Sequence, residues 1–164
     1  MQHEIRLRQA TPAELEAALL LVARFFAEEG FSASPEQMRR QLDGLIAGDD
    51  SAVFLAWLDG KALGVATVTT TSGIELGLSA ELEDLYVLPQ ARGLGAGAAL
   101  IEEVKGWCRA RGCSLVAVVV TPEGQAAHDL TGYYRRLGFE ETGRTLLYAY
   151  LEQLAFRQHV KHWT

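Results

Sequence analysis

The stretch Val87-Leu88-Pro89-Gln90-Ala91-Arg92-Gly93-Leu94-Gly95-Ala96-Gly97-Ala98-Ala99-Leu100 decides how this chain is read. It joins an apolar run stopped by proline to a run rich in alanine and leucine. Glycines at 93, 95 and 97 let the backbone turn tightly and bring its N–H groups close to a ligand. The first N–H groups of the helix that follows lack internal partners, and the helix dipole adds partial positive charge there. Strand, glycine-rich turn and helix in succession therefore make a phosphate cradle, with the guanidinium of Arg92 at its entrance. Ala96, Ala98 and Ala99 keep the first helical turn small. Two common phosphate motifs are excluded. No G-K-[S/T] follows, and a dinucleotide fold would place its glycines after its first strand rather than mid-chain.

Outward from this turn the elements alternate. Ile5 and Leu7 alternate with Arg6 and Arg8 as a short first strand. Thr11-Pro12-Ala13-Glu14 and Ser34-Pro35-Glu36-Gln37 each combine a capping hydroxyl, proline and an acid or amide three residues on. They start two helices, one ending at Gly30 and the other near Gly48. Val53 to Leu58 is a strand, Asp59-Gly60 a hairpin turn, and Ala62 to Thr71 the returning strand. After a loop from Ser72 to Ser79, a strand runs from Glu81 to Leu88, and a helix from about Gly95 to Arg111. The run Ser114 to Val120 predicts a strand buried on both faces. A helix from Gln125 to Leu137 and a last strand, Gly143 to Leu151, complete the order β-α-α-β-β-β-α-β-α-β. No repeat or linker divides residues 1–164, which predicts a single α/β domain with a mixed central sheet.

Composition narrows the function. With 49% hydrophobic and 22% charged residues the chain is no disordered protein. Fifteen Lys and Arg against 21 Asp and Glu give a net charge of −6, which opposes nucleic-acid binding and suits a cationic substrate. Cys108 and Cys113 form neither a C-x-x-C pair nor a zinc set and read as reduced thiols of a cytoplasmic protein. The start lacks the basic flank and apolar run of a secretory signal, and the most apolar stretch, Ala17 to Phe26, is too short to span a bilayer. His159 and His162 lack a third ligand, so no metal is expected. Trp163 is the candidate contact of a homodimer.

Two motifs together resemble the GNAT superfamily of N-acetyltransferases. Its signature R/Q-x-x-G-x-G/A is matched by Arg92, Gly95 and Gly97 after Val87-Leu88-Pro89. Its later Y-x-x-L-G-F is matched by Tyr134-Arg135-Arg136-Leu137-Gly138-Phe139. The resemblance extends over roughly the whole chain. It implies acetyl-CoA as cosubstrate, with the pyrophosphate on the backbone amides of Arg92, Gly93, Leu94, Gly95, Ala96, Gly97 and Ala98. The pantetheine arm would lie along Leu85, Tyr86 and Val87, where an N–H would also steady a developing oxyanion. Tyr134 corresponds to the general acid that protonates the departing thiolate, and Tyr133 to a packing or acceptor-side residue. One position departs from the pattern. The asparagine of many members, seven residues before the tyrosine, is Ala127 here, and Thr121, Gln125 or His128 is left to replace it.

The attacking amine arrives protonated, with a reference pKa of about 10, and must lose its proton. Glu81, Glu83 and Asp84 precede the glycine turn, and the resemblance implies a carboxylate base there. Glu83 is the first candidate as base or ammonium anchor, with Asp84 second. Strict alternation puts 81 and 83 on one face and 84 on the other, unless the strand bulges. The acceptor side of such enzymes is built from the N-terminal helices. Phe25 and Glu28, with Phe26, Glu29 and Phe31 nearby, offer cation–π and charge contacts to a polyamine or amino-sugar, while Phe26 follows the apolar spacing of its helix. Leu82-Glu83 with Tyr86-Val87-Leu88-Pro89 is similar to the same strand in aminoglycoside N-acetyltransferases. The expected activity is acetyl transfer to a small cationic amine. Protein N-terminal or lysine acetylation, and a non-catalytic acetyl-CoA sensor, are the alternatives.

Overall fold

The computed structural model describes residues 4–151, so His159, His162 and Trp163 lie outside the described residues. Strands β1 (Arg6–Gln9), β2 (Ser51–Leu58), β3 (Lys61–Gly73), β4 (Gly77–Val87) and β5 (Val116–Val118) form one sheet in that spatial order. The first three pairings are antiparallel, and β4 with β5 is parallel. Helices α1 (Leu15–Glu29) and α2 (Pro35–Ala47) connect β1 to β2, and α3 (Ala96–Ala110) connects β4 to β5. The short helices α4 (Pro122–His128) and α5 (Leu130–Arg136) follow β5.

Alternation along the strands divides the core between the two faces of the sheet. Phe54, Ala56, Ala66, Val68, Ala80 and Leu82 pack with Leu100, Ile101 and Val104 of α3. Val53, Leu55, Val65 and Tyr86 face the other way, onto Ala18, Leu21 and Val22 of α1 and Leu42 of α2. Both sides of β2 and β3 are therefore apolar, as central strands between two helical layers require. Gly64 on β3 allows α3 to come close. A Cβ there would stand 3.1 Å from Leu100 Cδ1 and 3.3 Å from the Tyr86 carbonyl oxygen.

The local signals act as their chemistry dictates. Ser34 accepts from the backbone N–H of Gln37, whose side chain accepts from that of Ser34, closing a capping box at α2. Asp59 and Gly60, at φ 50° and 77°, make the turn between β2 and β3. The β3–β4 connection is tighter than the expected loop. Both strands continue to a Gly73–Gly77 pair, leaving three residues to turn.

Three expectations need correction. The helix predicted over Gln125–Leu137 is two helices, starting earlier. Thr121 accepts from the Gly124 N–H and caps α4, with Pro122 in its first turn, the same start signal as at the first two helices. Asp129, at φ 45°, breaks the run and caps α5 by accepting from the Gly132 N–H. The run Ser114–Val120 is not buried on both faces. Among the described residues only Val116–Val118 pairs, on β4, and Val119 is 45% exposed. The outer edge of β5 borders a groove of about 510 Å³, lined also by Phe139, Glu140 and Thr142. Gly143–Leu151 forms no strand among the described residues. Arg144 is ion-paired with Glu75 of the β3–β4 turn, and Leu146, Leu147 and Tyr148 are exposed rather than laid on β5.

Leu100 is fully buried where α3 meets the sheet. Leu100→Ala should lower the free energy of unfolding by about 2–5 kcal/mol, read from the shift of a urea transition.

Candidate active site

The site begins where two strands part. Ala80, Glu81 and Leu82 of β4 pair with Val116, Ala117 and Val118 of β5, and no β4–β5 pair follows Leu82. On its other edge β4 stays paired with β3 as far as Val87. Among the described residues, one edge of Glu83–Val87 is thus left without a strand partner, beside a cleft of about 580 Å³. An extended chain with amide groups could add to that edge as a further strand would. Leu85, Tyr86 and Val87 line the cleft there.

The glycine turn closes one end. Gly93 and Gly95 sit at φ 84° and 83°, and a Cβ at either would meet nothing within 4 Å, so they are there for their backbone angles. Gly97 is different. A Cβ on it would lie 2.6 Å from the Tyr133 hydroxyl, which rests against the first turn of α3. Gly93, Gly95, Ala96, Gly97 and Ala98 line the cleft, and the open N-terminal amides of α3 suit a pyrophosphate. Leu94 is 56% exposed and its side chain is not in the cleft wall.

Arg92 also lines the cleft, but its guanidinium is already engaged. Nε donates to the Val87 carbonyl at 3.0 Å, and Nη2 donates to Glu28 Oε1 at 2.6 Å. The Tyr86 hydroxyl donates to the other oxygen of Glu28 at 2.9 Å, and the guanidinium lies 5.6 Å from the Tyr86 ring centroid. Glu28, expected to face the substrate, is absent from the cleft wall and forms this bridge instead. The Arg92 hydrogen bond holds its carboxyl below the usual range. Burial, and then the bond to Glu28, push the Tyr86 phenol up.

The acidic strand contains the bulge that alternation left open. Thr67 of β3 pairs with Asp84 and Val68 with Leu82, so Glu83 is the extra residue. Glu81 and Asp84 thereby stand opposite Thr69 and Thr67, two residues apart on β3 and hence on one face. The Thr69 hydroxyl donates to Glu83 at 2.6 Å, and the buried Thr67 hydroxyl donates to Asp84 Oδ2 at 2.5 Å. All three carboxylates are gathered on that side. Burial first, and then the Glu83 charge, push the Glu81 carboxyl up. Burial outweighs the Thr67 bond at Asp84 and pushes its carboxyl up as well. Glu83 and Asp84 line the cleft and Glu81 does not.

Phe25, Glu29 and Phe31, at and just beyond the end of α1, form the wall near these acids. Phe25 packs on Tyr86 with centroids 5.5 Å apart, and Phe25 and Phe26 both lie against the core on that face. Tyr133 and Tyr134 line the cleft from α5. Tyr134 is buried, and burial pushes its phenol up to about 12. Of the candidates to replace the asparagine, Gln125 is committed to Asp129 and the Thr131 N–H. Thr121 and His128 line the cleft, and His128 Nε2 lies 4.0 Å from Glu29 Oε1. Thr67 and Thr69 were not anticipated. Their spacing of two on a strand following a hairpin was the available signal. Among the described residues, no group of three His, Cys, Asp or Glu side chains could hold a metal ion, and no helix is long and apolar enough to cross a membrane.

The profile of the Acetyltransferase (GNAT) family matches residues 18–139, from α1 through α5 to Phe139. This chain belongs to that family. An aminoglycoside N(6')-acetyltransferase type 1 of Stenotrophomonas maltophilia is 34% identical over 147 residues, 87% of this chain and 90% of the relative. One of Serratia marcescens is 33% identical over 122 residues, 71% of this chain and 82% of the relative. Among solved structures, the aminoglycoside N-acetyltransferase AAC(6')-Iy in complex with CoA superposes with a TM-score of 0.80 at 25% identity, covering 92% and 97% of the two chains. The same enzyme with a bisubstrate analogue, CoA-S-monomethyl-acetylneamine, gives 0.78 at 26% identity, covering 90% and 98%. As a member of this family the chain is an N-acetyltransferase that uses acetyl-CoA, and the glycine turn and open β4 edge fit that donor.

Gly97→Ala should drive the Tyr133 hydroxyl off the turn and weaken CoA binding by about tenfold, measured by calorimetry. Adding Tyr133→Phe, which removes the colliding oxygen, should recover part of the loss.

Proposed function

We propose that the enzyme acetylates a primary amine of a small polycationic acceptor of the aminoglycoside type. The observation that carries this is the composition of one end of the cleft. Glu83 and Asp84, gathered by the bulge, share that wall with Glu29 and the rings of Phe25 and Phe31. Carboxylates and aromatic faces are the two surfaces that bind ammonium groups. The aminoglycoside N(6')-acetyltransferases among its relatives support the same acceptor class.

Each residue then has a distinct task. Acetyl-CoA supplies a thioester carbonyl for the amine to attack and a thiolate to leave. Asp84 takes the ammonium proton, because its raised carboxyl pKa narrows the gap to the amine and Thr67 fixes one of its oxygens. Glu83 anchors the ammonium. This reverses the order in which the sequence ranked the two. Tyr134, with its phenol near 12, stays protonated at neutral pH and gives its proton to the leaving sulfur. The amides of Gly93 to Ala98 and the free edge of β4 hold the donor in line.

Release of free thiol from acetyl-CoA, screened against neamine, a polyamine and a lysine peptide, tests the acceptor class. Turnover with neamine is expected, and turnover with the peptide alone would overturn it. Tyr134→Phe should lower kcat by about a hundredfold while the CoA Kd stays within about twofold.

Asp84 yields a prediction of opposite sign for activity and stability. Its raised pKa places the acid limb of kcat/KM above the range of an ordinary aspartate, about 3.9, and Asp84→Asn should abolish that limb together with most activity. A carboxyl whose pKa rises on folding favours the fold below its unfolded pKa, and that contribution is lost as pH climbs through the folded value. Asp84→Asn should therefore unfold at higher urea than the native chain at pH 7, with the gap closing below about pH 4.

A further inference from the structure

The Arg92–Glu28 bridge joins the two halves of the site. Arg92 is the first residue of the donor turn, and Glu28 lies in the last turn of α1, next to Glu29 of the acceptor wall. Among the described residues the guanidinium's ion pair is with Glu28. Nε is spent on the Val87 carbonyl and Nη2 on Glu28, with Tyr86 fixing the other oxygen of that carboxylate. Both charges are only partly shielded, at 41% and 31% side-chain exposure, so the pair can exchange partners.

We infer that the Arg92–Glu28 bridge is a competitive latch by which occupation of the donor turn strengthens binding of a cationic acceptor. A pyrophosphate on the amides of Gly93 to Ala98 brings negative charge beside Arg92 and competes with Glu28 for the guanidinium. Glu28 then loses the cation that neutralises it. Together with Glu29, Glu83 and Asp84 it leaves the acceptor end more negative than before. Glu28 need not touch the acceptor, because its charge acts on the wall alongside. Linkage makes the effect reciprocal, so a bound polycation must also favour the donor. This inference rests on the proposed acceptor class only for its second half; competition for Arg92 involves the donor alone.

Calorimetric titration of CoA into the native chain, Glu28→Gln, Arg92→Gln and the double variant tests the latch. Glu28→Gln should bind CoA about fivefold more tightly, and that gain should vanish in the Arg92→Gln background. Unchanged or weaker CoA binding by Glu28→Gln would mean that Glu28 positions Arg92 for the phosphates, and overturns the inference. A gain that persists without Arg92 would reduce it to general electrostatics, and overturns it equally. Neamine should bind the native chain about fivefold more tightly with saturating CoA than without it, and Glu28→Gln should erase that difference. Equal neamine affinity with and without CoA in the native chain removes the coupling. Failure of the proposed acceptor class would look different, since the native chain would then bind CoA but no neamine, with or without CoA present.

Discussion

The parting of β4 from β5 after Leu82 is the constraint on which the rest depends. A paired strand has its backbone groups satisfied on both edges, and one that separates from its neighbour must find partners in water or a ligand. Here β4 stays paired with β3 up to Val87, across the bulge at Glu83. It parts from β5 instead, at the residue where the bulge bends it. The open edge, the glycine turn beyond it and the start of α3 follow as one continuous ligand-facing backbone. Side chains reach this backbone from α1 on one side and α5 on the other.

What the sequence made legible were features that one residue type decides. Gly93 and Gly95 had to be glycine because the turn needs left-handed angles, and Ser34 and Pro35 supply the capping hydroxyl and first-turn proline of a helix start. The split of the last helical region was less visible. Its signal at Thr121-Pro122 was present, but Asp129 in a left-handed conformation is a capping choice that propensity does not reveal. The run through Val116–Val118 looked like an interior strand because apolar content reports burial without saying which neighbours provide it. Register and long-range pairing were the least legible. The bulge exists only relative to β3, and the bond from Arg92 to Glu28 spans 64 positions in sequence.

Charge, which began as a global count, turns out to be spatially sorted. Glu83 and Asp84 of β4 accept from threonine hydroxyls of β3 rather than pairing with cations among the described residues. The cation nearest the donor turn is neutralised by an acid of α1. On the proposed function the donor's phosphates are met first by backbone amides, whose partial charges do not titrate, and by Arg92 only as Glu28 is displaced. On the proposed function, that separation lets an acidic protein hold an anion at one end of a cleft and a cation at the other.

The extra residue in β4 also bears on how relatives of this chain are compared. Ala80 and Leu82 face α3 before the bulge, and Leu85 and Val87 pack with the same cluster after it, so parity along the strand changes at Glu83. An alignment that slides one residue here exchanges an acid for a core position without any visible mismatch in composition. Deleting Glu83 would restore plain alternation, leave Glu81 and Asp84 on one face and take one carboxylate out of the cleft wall.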